Sequence, residues 1–384
     1  MIVNNHKIIQ NISPMKVYNE RNLVNLSNSI LHHFGAETFH ETIPEVDELL
    51  KGHKKVVAIL FDGMGKNIIR KHLKDNSFIR KNYALTINST YPPTTAAATT
   101  AFLTGKYPIE TGWIAWATYF KDYDRNIILF RGIDYNTEEE LNKPGEVNIA
   151  YRYYPITSIF ELIKNGKRAA NAINISRFPV QQDGPKSLRR GLKMLKETLR
   201  ANEECFIYFY WDSPDMEMHE TGIDSFTAHY QVKKAESFIK NAVKQNPDTL
   251  FISLADHGHI NVVFDDMCEH EDLYSLLSKP MTLEKRTPSF FTKEGKEKEF
   301  EVLFNKYYGE HFELLTKKEV LDIKLFGEGE PAPGVIDSFG DYVAIAKDEH
   351  SLFASKELKH FDLFKGHHAG GTIEEREIDV SIYK

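Results

Sequence analysis

Val56-Val57-Ala58-Ile59-Leu60-Phe61-Asp62-Gly63-Met64-Gly65 is the stretch from which the fold is read. Six apolar residues in succession, with no polar residue alternating between them, describe a strand covered on both faces, as parallel sheets require. The Asp-Gly pair that follows ends the strand in a turn, and residues 66–73 resume with helical spacing. Asp62 therefore falls at the C-terminal end of a buried strand, the edge along which open α/β sheets assemble their sites.

Outward from this unit the same pattern recurs. Residues 84–88 precede Thr90, a helix-like 158–165 precedes the apolar run 169–175, residues 205–211 form a second unbroken apolar stretch, and 250–255 lead into Asp256. Strands alternating with helices predict an α/β fold whose largely parallel central sheet is covered by helices on both faces. From about Glu269 to Leu352 the texture changes to Lys/Glu-rich helical stretches, the turn-rich Gly327-Glu-Gly-Glu-Pro-Ala-Pro-Gly334 and a strand-like Tyr342–Ala346. The expected division is a catalytic domain over 1–268 and 353–384 with a smaller α+β cap subdomain inserted over 269–352. There is no internal repeat.

Composition narrows the function. In 384 residues, 48 basic against 55 acidic side chains give a formal charge of −7 and no basic block that could track a nucleic-acid backbone, so bulk nucleic-acid binding is excluded. No apolar run approaches the roughly 20 residues of a membrane span, and residues 1–7 open without a signal-peptide core. Two cysteines, Cys205 and Cys268, do not make a disulfide framework. These features predict a cytoplasmic protein and leave its oligomeric state open.

Oxygen and nitrogen donors cluster in four short segments. Asp62 is the first. Asp215 and His219 are four apart, so one helical turn aims both at one ion. Asp256-His257-Gly258-His259 ends an apolar strand, and His367-His368-Ala369-Gly370-Gly371 closes the series. Carboxylates mixed with imidazoles and lacking thiolates suit Zn²⁺, with Mn²⁺ as the alternative. A hydroxyl nucleophile is sought in Thr90-Tyr91-Pro92-Pro93-Thr94-Thr95-Ala96-Ala97-Ala98. The prolines stop the preceding strand and the alanines start a helix, so Thr95 is expected near a helix N-cap, where backbone amides and the positive dipole end favour an oxyanion. Thr94 is its close rival. Trp113 and Trp116 are candidates either for lining a leaving-group pocket or for packing beneath the cap.

Taken in order, these segments resemble the alkaline phosphatase superfamily, and within it the nucleotide pyrophosphatase/phosphodiesterase-like branch. The resemblance spans roughly Lys54 to Glu375. The specific part is the sequence of motifs: strand-Asp-Gly, a threonine before a helix ending in Thr104-Gly105-Lys106-Tyr107-Pro108, Asp-x-x-x-His, Asp-His-Gly, and a late histidine before Gly-Gly-Thr-x-Glu-Glu. The resemblance implies a metal-dependent hydrolase that cleaves small phosphate esters, as a phosphodiesterase or phosphomonoesterase, through a phosphothreonine at Thr95. It implies two divalent ions, most simply Zn²⁺, with Asp62, Thr95, Asp256 and His257 around one and Asp215, His219 and His368 around the other. Phosphonate hydrolase and phosphomutase share that ligand set, and a non-catalytic metal-binding protein is the alternative of another class. Sulfatase chemistry is excluded, because neither cysteine lies in a Cys-x-Pro-x-Arg setting. Two positions depart from the branch: Ala98 replaces an asparagine, and Met218 replaces the glycine before His219.

Overall fold

Residues 56–61 become the middle of the sheet that organises the molecule. The computed structural model describes residues 21–177, 179–181, 183–359 and 364–384; the chain start weighed above for a signal peptide lies outside them. The central sheet has six strands, β1 (Lys55–Phe61), β2 (Tyr83–Asn88), β3 (Asn171–Ser176), β4 (Cys205–Trp211), β5 (Leu250–Leu254) and β6 (Glu377–Tyr383). Their order is β2-β6-β5-β1-β4-β3. β1 runs parallel to both β4 and β5, and β3 parallel to β4. Only β6 runs against its neighbours. The sheet is thus largely parallel, as the unbroken apolar runs predict.

Strand alternation shows the helical cover on both faces. On β4, Phe206 and Tyr208 point to one side, where they meet Phe34 of α1 (Leu23–His33) at 6.1 Å and Phe102 of α2 (Thr95–Thr104) at 5.5 Å between ring centroids. Phe209 points to the other side and stacks at 4.5 Å on Phe238 of α4 (Phe226–Gln245), which follows the short α3 (Asp215–Thr221). Consecutive residues of one strand are buried against different helices, so the strand must be apolar throughout.

A second, seven-stranded antiparallel sheet lies beside the first. In spatial order its strands are Phe312–Thr316, Tyr342–Ala346, Pro288–Phe290, Thr282–Leu283, Ala117–Phe120, Arg125–Ile128 and Ile133–Asp134. The segment 269–352 contributes the first four and none of the strands of the central sheet. The other three come from 117–134, far earlier in the chain. An apolar cluster containing Trp113, Phe120, Phe326 and Phe339 forms one of this lobe's cores, and Phe290, Phe300, Phe304 and Phe312 belong to another. A parallel two-stranded ribbon, Val263–Asp266 with His350–Phe353, connects the lobes.

Candidate metal centre

Each donor segment emerges from the C-terminal end of a parallel strand or packs against one that does. Asp62 directly follows β1, and its amide donates to the Trp211 carbonyl at the end of β4. The next residue must be glycine. Gly63 has φ +67°, and a Cβ there would come within 2.9 Å of the Asp215 side chain. Its amide donates to Asp256 Oδ1 at 3.1 Å, tying the first and third motifs together.

The structure brings Asp62, Thr95, Asp256 and His257 to one point. Thr95 Oγ1 lies 3.4 Å from Asp62 Oδ2 and 3.4 Å from His257 Nε2. His257 Nε2 is 3.3 Å from Asp62 Oδ1 and 3.5 Å from Asp256 Oδ2. Asp215, His219 and His368 gather beside them: His219 Nε2 is 3.1 Å from Asp215 Oδ2, and His368 Nε2 is 3.8 Å from Asp215 Oδ1. The stacked His257 and His368 rings, 3.8 Å apart, bridge the two groups. His259, which belongs to a motif but was assigned no role from sequence, reaches Asp215 Oδ1 at 3.2 Å. His367 likewise lines the adjoining cavity.

Thr95 lies directly beside the N-cap of α2, as expected. Thr94, not Thr95, is the N-cap of α2, and its side chain does not cap the helix; Thr95 is the first helical residue. The extended backbone at Thr94 lets the helix start with the Thr95 side chain turned to the carboxylates.

Electrostatics explains what such a site requires. Burial pushes the Asp62 carboxyl up, and the charge of Asp215 adds to the effect; burial and then Asp62 push Asp256 well up. Burial opposes ionisation of Asp215 too, but attraction from His219, with His259 and His368, outweighs it and holds that carboxyl well below the usual range. The His257 ring, although burial disfavours its charge, is pushed up to about 10 by Asp256 and Asp62. Three buried carboxyl groups that act on one another's charge thus create a strong demand for positive charge.

The donor geometry fits metal ions as the source of that charge. His219, His257 and His368 direct Nδ1 at the carbonyls of Gly366, Gly258 and Pro93, at 2.9, 2.9 and 3.0 Å. A carbonyl only accepts, so each Nδ1 donates and each Nε2 is turned to the carboxylates, the arrangement of metal-ligating histidines. Asp215 Oδ1, Asp256 Oδ2 and both ring nitrogens of His259 are buried without a hydrogen-bond partner among the described residues. Among those residues, Asp62-Asp256-His257, Asp215-His219-His259 and Asp215-His257-His368 are clusters able to hold a metal.

A cavity of about 450 Å³ opens from Thr95, Asp62, His219 and His368 toward the second lobe. Trp116 and Tyr135 supply flat faces, Ile128, Ile133 and Leu283 supply apolar wall, and Arg131 and Lys285 supply cations. Lys285 also packs over the Phe364 ring at 4.9 Å. Of the two tryptophans weighed from sequence, Trp116 lines this cavity, whereas Trp113 is fully buried against Phe130 and Tyr151. Ala98 is wholly buried in the core of the central sheet and does not line the cavity. Arg131, Tyr135, Glu284 and Lys285 carried no sequence signal, because no local motif marks residues that meet only through the second sheet. Glu284 accepts the Trp116 amide hydrogen at 2.6 Å, and burial pushes its carboxyl up.

Residues 56–371 match the family model described as type I phosphodiesterase / nucleotide pyrophosphatase. No curated protein matches the sequence. Among solved structures, the chain is similar to an inactive variant of murine ectonucleotide pyrophosphatase/phosphodiesterase 5 in complex with AMP, with 17% identity, a TM-score of 0.62, and coverage of 86% of this chain and 88% of that one. Its likeness to the human ectonucleotide pyrophosphatase/phosphodiesterase 5 has the same TM-score, 0.62, at 16% identity, covering 86% of this chain and 87% of that one. At such identities the likeness is one of fold.

Proposed function

The chain belongs to the type I phosphodiesterase / nucleotide pyrophosphatase family, and from that premise we propose that it hydrolyses small phosphodiesters, including nucleotide esters, with Thr95 as the nucleophile. The observation that carries this reading is the convergence of Thr95 Oγ1, three buried carboxylates and three histidines whose Nδ1 atoms are committed to carbonyls. Asp62, Thr95, Asp256 and His257 would hold one Zn²⁺, and Asp215, His219 and His368 the other. When bound, the two ions lower the pKa of the attacking hydroxyl and offset charge on the transferring phosphoryl group.

The residues do the rest. Asp62 and His257 fix the Thr95 hydroxyl from two sides, so it meets phosphorus in one orientation. The Thr95 oxygen gives up its proton and bonds to phosphorus as the bond to the leaving oxygen breaks, the departing alcohol taking up a proton, and water then cleaves the threonine–phosphorus ester to release a phosphate monoester and restore the hydroxyl. Its place in the first turn of α2 turns the free backbone amides of that end toward the phosphoryl oxygens.

Substrate class follows from the cavity. Aromatic faces at Trp116 and Tyr135, with cations at Arg131 and Lys285, suit a substrate with a flat group and further negative charge, and the murine relative's complex with AMP, a flat base joined to a phosphate, supports that class. The volume beyond Thr95 favours a diester over a bare monoester. The segment 269–352, which bears Leu283, Glu284 and Lys285, acts in this reading as a cap that shapes entry to the metals.

The test is hydrolysis of matched mono- and diester substrates, with and without chelator. Diester cleavage lost on chelation and restored by Zn²⁺ or Mn²⁺ is the expected result. Full activity in metal-free protein would refute the mechanism.

A further inference from the structure

A second group of metal-type donors lies away from the cavity, on the second lobe. His311 immediately precedes the strand Phe312–Thr316; Asp348 and His350 come from the turn between Tyr342–Ala346 and His350–Phe353; Asp265 comes from the neighbouring ribbon strand. Three stretches separate in sequence therefore meet where the lobe's sheet joins the ribbon.

The geometry is that of prepared ligands. His311 Nδ1 donates to Asp348 Oδ2 at 2.7 Å, and His350 Nδ1 donates to Asp265 Oδ2 at 2.7 Å. An ionised carboxylate only accepts, so Asp265 holds His350 in the tautomer that leaves its Nε2 lone pair available, while His311 Nδ1 and Asp348 Oδ2 already face each other where an ion can replace the proton they share. The two rings stack face to face at 3.5 Å with 20° between their planes. Among the described residues, neither Nε2 has a hydrogen-bond partner. One donor atom from each of His311, Asp348 and His350 lies within 4.8 Å of the others, close enough for small rotamer changes to reach Zn–N distances of about 2.0–2.1 Å.

The backbone beneath is rigid. The fully buried Arg286 donates to the Asp348 carbonyl at 2.6 Å and to the His350 carbonyl at 2.7 Å, while Lys347 N donates to the His311 carbonyl at 2.8 Å. Above it the side chains remain accessible, with exposures between 20% and 34%, so an ion can enter and water can complete its shell.

We propose that His311, Asp348 and His350 form an additional site for a borderline divalent ion such as Zn²⁺, outside the catalytic centre, with Asp265 orienting His350. Two imidazoles and a carboxylate select such ions over Ca²⁺ or Mg²⁺. The ion would clip the edge of the second sheet to the ribbon that leads back to the Asp256–His257 loop.

Calorimetric titration of chelator-stripped full-length protein with Zn²⁺, compared with the His311→Asn/His350→Asn variant, tests this directly. The variant should take up one Zn²⁺ fewer per chain. Because the measurement is a difference, it does not depend on how many ions the catalytic centre binds, and that centre's failure to bind metal would leave it intact. Equal uptake by both proteins overturns the proposal. If the double variant does not fold, anomalous diffraction at the zinc edge from soaked wild-type crystals decides: a peak between His311 and His350 supports the site, and peaks confined to the catalytic centre overturn it.

Discussion

Thr94 and Thr95 are adjacent, equally buried and alike in chemistry, yet their placement differs. Thr94 has an extended backbone, with φ −137°, whereas Thr95 enters the helix with its hydroxyl 3.4 Å from both Asp62 and His257. Thr95→Ala is expected to lower kcat by roughly three orders of magnitude or more, while Asp62, Asp256 and His257 still bind metal. Thr94→Ala should cost far less, since its hydroxyl neither caps the helix nor contacts those donors. Steady-state kinetics with metal analysis on both variants checks this; equal losses would move the nucleophile. Local sequence cannot separate the two threonines, because helix propensity locates an N-terminus only to within a residue or two.

At the scale of elements, the turn after β1 and the turn after β5 pack backbone to backbone. A Cβ on Gly65 would lie 2.5 Å from Gly258 Cα, a contact that no side-chain rotation relieves. Gly65→Ala should therefore destabilise the protein by about 3 kcal/mol and weaken zinc binding by displacing His257. A melt and a zinc titration measure the two effects; an unchanged Tm would contradict the packing.

The short turn 355–357 supplies a pH-dependent element. Glu357 accepts the Met281 amide hydrogen at 2.9 Å, and burial pushes its carboxyl up to about 7 from an ordinary 4.5. The folded protein then holds a proton that the unfolded chain has released. This contribution is fully present below about pH 4.5 and is lost as pH rises through 7. Glu357→Gln should gain about 2 kcal/mol relative to wild type at pH 8 and little at pH 4, as read from denaturant unfolding at both pH values. A gain that does not vary with pH would show that Glu357 ionises freely.

Across the whole molecule, one fully buried ion pair joins the second lobe to the His368 loop. Arg286 Nε and Nη2 donate to Glu375 at 2.7 and 2.8 Å, and Glu375 in turn accepts the Gly370 amide hydrogen at 2.7 Å and the Thr372 hydroxyl. Removing one partner strands a buried charge, so Arg286→Met should cost about 3–5 kcal/mol and reduce zinc affinity through the His368 loop. Calorimetric melting with metal titration tests both; a neutral substitution would mean that Glu375 finds another partner. The central sheet, its parallel strands and the order of the donor motifs were legible in the sequence, because apolar runs and Asp-Gly or Asp-His-Gly turns are local patterns. The strand β6 that joins β2 to the rest of the sheet was not, because its register against β2 and β5 depends on partners far away in sequence. Only the tertiary structure decided that residues 117–134 share a sheet with 282–346, that Trp116 faces the cavity while Trp113 is buried, and that His259 meets Asp215. Each of these depends on contacts between segments distant in the chain, and a local pattern records which residues can be buried or can donate, not which distant residue they meet.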